Sequence, residues 1–355
     1  MGTRINHAIL HVFDFNSCVN VFSQEELDLG NKQAKAFVGK HVRKCLNNLD
    51  NMHGQFVEES NFAFELNEYF CGNRDFVDLS IQIAEFFAQE LNREEKAQSA
   101  DLLVVDWEED AKVDLPEDAT EEQMAAAYDA HAQRYFGMLL LESKPAFMHE
   151  VGHGEGGAVR NEISRHYAIL PNPSQKVQSY AVVDMRSMDV MFVDKERTIA
   201  GQETMLIPDG LLQCTKEASS KEVLGTVTRI VEEVAEEFGA NTAVALSKAK
   251  SYVAECIEAE DDFSPEELAE EVFADGPMRQ RFVDAAVEEQ LPERVPVERK
   301  VVERVAKNHK IRTVTGIEVT FPAEYCQNSE FIEFVSSPNG LISIELKNIG
   351  HIENR

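Results

Sequence analysis

His149-Glu150-Val151-Gly152-His153 satisfies the H-E-x-x-H pattern, in which two imidazoles bind zinc and the glutamate deprotonates a metal-bound water. Gly156 falls where the longer metalloprotease pattern puts a glycine. That chemistry needs both histidines on one face of a stable helix, at i and i+4. Glycines at 152, 154, 156 and 157 crowd the segment, and each costs about 1 kcal/mol of helix propensity. The third metzincin ligand would fall at Val159, which has no donor atom, and no second helix with an obvious glutamate ligand follows. The stretch 149–157 therefore reads as a Gly-rich loop. A metal site at His149, Glu150 and His153 is left as a third-ranked possibility for structure to test.

Glu142-Ser143-Lys144 ends one expected strand and Asp106 lies near the end of another. Together they have the composition of a metal-dependent nuclease core, in which carboxylates hold Mg²⁺ and a lysine assists water attack on phosphate. E-x-K is common, and polar residues at strand ends are the rule, so the structural reading comes first. No P-loop, GxGxxG fingerprint or GxSxG elbow occurs. Neither a catalytic residue nor a metal or other cofactor is expected.

Arg294, Arg299, Lys300, Arg304, Lys307, Lys310 and Arg312 stand against only Glu298 and Glu303, so the stretch 294–312 carries seven minus two, or +5. Such a cluster can neutralise a nucleic-acid backbone and release its counterions. It can equally be a solvated connector pairing with acids, for residues 255–275 hold ten acids and no base. Few aromatics interleave, which favours duplex backbone contact over single-strand stacking. Lys248 and Lys250 lie on a neighbouring expected helix and join the candidate set.

The whole chain runs the other way. Its 355 residues carry 64 Asp plus Glu against 34 Lys plus Arg, a net −30. That field repels DNA at long range, so phosphate contact has to be local. The six cysteines form no CxxC pair, as expected of free thiols in a reducing cytosol. The start lacks a signal-peptide core and no run approaches a membrane helix, so the expectation is a soluble, cytoplasmic protein without a membrane partner.

The elements that must position these residues give an α+β reading in three parts. An N-terminal α/β domain with a mixed sheet is expected over residues 1–214, a helical domain over 215–292, and a basic connector with a small C-terminal β-hairpin module over 293–355. Ile5–Phe13 and Val19–Phe22 read as a hairpin, 102–107 and 135–141 as buried strands, and 180–184 and 190–193 as strands around a turn. Phe76, Leu79, Ile83, Phe86 and Phe87 predict a helix over 76–91. Residues 106–122, with nine acids and one lysine, read as a solvated loop leading into a short helix. Helices follow near 222–238, over 242–258, from Ser264-Pro265 and from Gly276-Pro277. Thr315-Gly316 and Asn339-Gly340 then mark turns between short strands.

Several segments, INHAILHVFDF, FVEESNFAFELNEYFCGNRDFVDLSIQIAEFF, ISRHYAILPNPSQKVQSYAVVD, VTRIVEEVAEEFGANTAVALSKAKSYV, KIRTVTGIEVTFPAEY and SPNGLISIELKNI, resemble the bacterial 37-kilodalton nucleoid-associated protein family along the whole chain. The resemblance implies a cytoplasmic, nucleoid-located homodimer that binds double-stranded DNA without marked sequence preference, is not known to need a cofactor and offers no catalytic motif to carry over. For some members it also implies a link to topoisomerases or other nucleoid proteins. Two readings stay open: a DNA binder acting through the basic connector, and an acidic interaction protein docking onto DNA-handling enzymes through 106–122 and 255–275. A metal-dependent hydrolase or nuclease ranks third.

Overall fold

The computed structural model describes residues 2–15, 17–95, 97–110, 132–153, 159–259, 262–295, 308–312, 315–322, 325, 330–336 and 342–351. The chain divides into two compact units, Met1–Glu217 and Ala218–Arg355. The class is α+β, as expected. The mixed sheet is not: the main sheet has seven strands, ordered from edge to edge as 19–21, 3–14, 100–109, 133–142, 179–184, 189–193 and 52–55, and every ladder in it is antiparallel.

Its strands are β1 (Thr3–Asp14), β2 (Val19–Val21), β3 (Met52–Gln55), β4 (Ala100–Glu109), β5 (Gln133–Glu142), β8 (Ser179–Asp184) and β9 (Asp189–Val193). Both faces are covered, so central strands read as continuous apolar runs. On β4, Leu102 and Val104 join a core with helices α2 (Asn61–Phe70) and α3 (Phe76–Leu91), whereas Leu103, Val105 and Trp107 pack with α1 (Lys32–Leu46) on the opposite face. The helices start where side chains satisfy their first amides. Asn31, Ser60 and Asp75 each accept from backbone N–H groups one turn on. Gly137 on β5 is required, because a Cβ there would lie 2.7 Å from the Trp107 ring.

Between β5 and β8 the chain leaves this sheet as a long hairpin. Strand β6 (Lys144–His153) pairs with β7 (Val159–Ile169) and, among the described residues, with no other strand. The expected loop at 149–157 is therefore a strand through His153; residues 154–158 lie outside the described residues. A two-residue alternation of Phe147, His149, Val151 and His153 overrides the local cost of Gly152. A second, four-residue hairpin, β10 (Glu196–Ile199) with β11 (Gln202–Met205), follows β9.

The second unit begins with α4 (Ser220–Glu237), α5 (Thr242–Glu258), α6 (Pro265–Val272) and α7 (Gly276–Glu288). Gly239, at φ +68°, follows the α4 cap, and the amides of Gly239 and Ala240 return to the carbonyls of Glu236 and Ala235. Two hairpins follow, β12 (Asn308–Arg312) with β13 (Glu318–Pro322) and β14 (Ile332–Ser336) with β15 (Ile342–Leu346). The strand at Ile332 lies on the N-terminal side of the Asn339-Gly340 turn signal.

Candidate functional site

The H-E-x-x-H residues sit on β6. Positions i and i+4 of a strand share a face but stand about 13 Å apart, and the intervening residue Glu150 points to the other face. Two imidazoles at that spacing cannot ligate one zinc ion, whose bonds to nitrogen are about 2 Å long. Among the described residues no group of three or more His, Cys, Asp or Glu side chains is placed to hold a metal.

The nuclease-like set is also dispersed. Asp106 pairs across the β4/β5 ladder with Phe136, whereas Glu142 pairs with Ala100. Six residues of register, about 20 Å, separate the two carboxylates. Each has structural partners instead. Asp106 is fully buried and accepts from Arg134 Nε at 3.0 Å, from Asn6 Nδ2 at 3.0 Å and from the Tyr69 hydroxyl at 2.5 Å. Burial, then the hydrogen bond to Asp106, pushes the Tyr69 phenol up; the bond to Asp106 raises the Arg134 guanidinium further above its ordinary range. Glu142 pairs with Lys195 Nζ at 2.5 Å. The start of the expected acidic loop, Asp106 to Glu109, is thus the end of a core strand; the remainder from residue 111 lies outside the described residues.

The basic candidates are placed in the second unit. Lys310 and Arg312, two apart on β12, share a face and converge on Glu318 of β13 at 2.8 and 3.9 Å. Their side chains stay 61% and 73% exposed, so each cation is only partly neutralised and remains accessible. Arg294 is exposed at the start of the connector, beside Val295, whose amide and carbonyl both bond to Phe263. That bridge anchors the connector next to the loop leading into α6. Lys248 and Lys250 are half-buried on α5, and two helical residues are about 200° apart, so they do not form one patch. Arg299, Lys300, Arg304 and Lys307 lie outside the described residues.

A further exposed surface went unread in the sequence. Cross-strand pairs place Phe147 with Arg165, His149 with Ile163, Val151 with Asn161 and His153 with Val159 on one face of the β6–β7 hairpin. The reverse face carries Glu150, Glu162, Arg160 and His166, with Arg160 bound to Glu162 at 2.9 Å. The signal was present as an alternation of period two, hidden by the glycines that favoured a loop.

The model of the family described as nucleoid-associated protein YejK matches residues 9–353 of the chain. No individual curated protein matches it.

Proposed function

The chain belongs to the family of nucleoid-associated protein YejK, and from that premise we propose that it binds double-stranded DNA at the bacterial nucleoid, in the cytoplasm, largely without sequence preference and without a catalytic step. Membership over nearly the whole chain is the observation that carries this reading. Two features of the molecule support it. The residues that looked catalytic serve other ends, Asp106 and Glu142 in ion pairs and His149 and His153 on a strand. The cations of the connector, with Lys310 and Arg312 exposed, form a local inversion of a −30 chain.

Arg294, Arg299, Lys300, Arg304, Lys307, Lys310 and Arg312 are the proposed phosphate contacts, with Lys248 and Lys250 as secondary ones. Binding of that kind is electrostatic. Affinity then falls steeply with salt, by a slope of about 0.9 per neutralised phosphate. Reversing Arg299, Lys300 and Arg304 to Glu weakens binding equally on unrelated duplexes and flattens the salt slope; unchanged affinity in a filter-binding titration sinks the assignment of the connector.

A second reading has an observation of its own. Glu266, Glu267, Glu270 and Glu271 on α6 are all exposed, an acidic surface that complements basic DNA-handling proteins such as topoisomerases. Capture of a purified topoisomerase that persists after nuclease treatment favours this version, since only a direct protein contact outlives the DNA. A homodimer is part of the same proposal, measured as mass in solution.

A further inference from the structure

Among the described residues the β6–β7 hairpin pairs with no further strand at either edge, and it is exposed on both faces over most of its length. An isolated two-stranded ribbon of this kind is marginal in water and gains from a covering surface. On the face bearing Phe147, Val151, Val159 and Ile163, these side chains are 72%, 61%, 69% and 80% exposed. Between them stand His149, His153, Asn161 and Arg165, with the Arg165 guanidinium 5.7 Å from the Phe147 ring centre. Among the described residues no carboxylate lies on this face. Both of the ribbon's described acids, Glu150 and Glu162, are on the other side.

We propose that this acid-free face of the β6–β7 ribbon enters the minor groove of A·T-rich DNA, a contact separate from the basic connector. The inference rests on the DNA-binding reading given above and adds a second element to it. Its ligand follows from chemistry. The A·T minor groove presents acceptors only, adenine N3 and thymine O2. Arg165, Asn161 and the two imidazoles can meet those acceptors with N–H donors, and a face without carboxylates brings no acceptor against acceptor. Proteins that use this groove pair such donors with apolar wedges inserted between base steps, the part that Phe147 and Ile163 would play. The ribbon also addresses the charge problem. A strand of this length reaches about 30 Å, several times the screening length of about 8 Å at physiological salt. DNA held on its outer half is shielded from the acids of the sheet that the ribbon leaves.

A second copy of the chain could offer apolar cover as well, and the test separates the two. Full-length protein is titrated into a labelled A·T-rich duplex by fluorescence anisotropy, with netropsin as minor-groove competitor and mass measured by light scattering. Phe147→Ala with Ile163→Ala, and separately Arg165→Ala, should each weaken binding by about tenfold or more at unchanged mass, and netropsin should displace the wild-type protein. Glu150→Gln, on the reverse face, should keep wild-type affinity or gain slightly. Near-ultraviolet dichroism of the buried Trp107 reports that each variant is folded. Wild-type affinity in both ribbon variants overturns the ribbon assignment while leaving DNA binding intact. A fall in mass accompanying any loss assigns the face to a second copy and also overturns it. A wild-type chain that binds no duplex refutes the underlying DNA reading itself.

Discussion

Strands β4 and β6 have the same length, ten residues, and belong to the same unit, yet they meet opposite surroundings. On β4 eight successive residues are buried, and the deeper of its two buried carboxylates, Asp106, is held by Arg134, Tyr69 and Asn6. On β6 eight of ten residues are exposed, and its one described carboxylate, Glu150, meets His166 of the facing strand at 3.7 Å. The lesson is that a chemically suggestive residue is read by what already occupies its lone pairs. Asp106 looked reactive and is spent on packing. His149, which the neighbouring glycines place in a loop on sequence grounds, and Phe147 are exposed where a ligand can reach them.

The comparison breaks most visibly under truncation. Asp106→Ala removes the buried partner of an ion pair whose arginine is partly exposed, leaves Arg134 and Tyr69 without their acceptor, and should lower the unfolding free energy by about 2 to 4 kcal/mol. Ile163→Ala on the ribbon removes as many heavy atoms, but from solvent, and should stay within about 0.5 kcal/mol of wild type. Urea melts of the two variants measure both. Equal losses would mean that the ribbon is packed against something in the free protein.

How far these roles were legible depended on how local their causes are. The helices over 76–91 and 242–258 were legible to the residue, because apolar spacing and capping side chains such as Asp75 act within one or two turns. The apolar runs at Leu102 and Leu139 announced buried strands for the same reason. Pairing is not local, so the antiparallel order of the sheet could not be read, and neither could the register that puts 20 Å between Asp106 and Glu142. At the candidate sites the lysines and arginines were countable, but whether Lys248 and Lys250 share a face is a property of the helix beneath them. The ribbon was missed because four glycines within six residues signal a loop more strongly than four alternating apolar and imidazole side chains signal a strand.

A smaller effect sharpens the contrast within the sheet itself, where two buried titratable groups oppose each other. Burial, aided by the Asp14 carboxylate and opposed by a hydrogen bond from Ser143, raises Asp101 to about 6. The folded state therefore favours its protonated form, and this group costs stability above pH 6, a cost that fades as pH falls toward 3.8. Burial lowers His11 to about 4. Its Nδ1 accepts from the Ser23 amide at 3.1 Å, so the neutral ring carries its proton on Nε2, facing Ser80 Oγ at 3.0 Å. The stability it contributes is complete above pH 6.5 and is lost as pH falls through 4. The two slopes oppose each other across nearly one window. Asp101→Asn should add roughly 1 to 2 kcal/mol at pH 7 and expose an uncompensated loss of roughly 2 to 3 kcal/mol on acidification from 6.5 to 4. Denaturant midpoints across that range check it, and a flat profile in Asp101→Asn would contradict the assignment to His11.

The smallest effect belongs to the H-E-x-x-H residues, and it is informative because the motif would make it the largest. Were His149 and His153 zinc ligands, His149→Ala would abolish metal uptake and cost the folding energy tied to the ion. On a strand the two rings are about 13 Å apart and exposed, so His149→Ala should shift stability by no more than about 0.5 kcal/mol. Equilibrium dialysis against zinc should find the same weak, substoichiometric uptake in variant and wild type. One zinc per wild-type chain, lost in the variant, would require β6 to refold as a helix, and would remove the ribbon along with every inference drawn from its two faces.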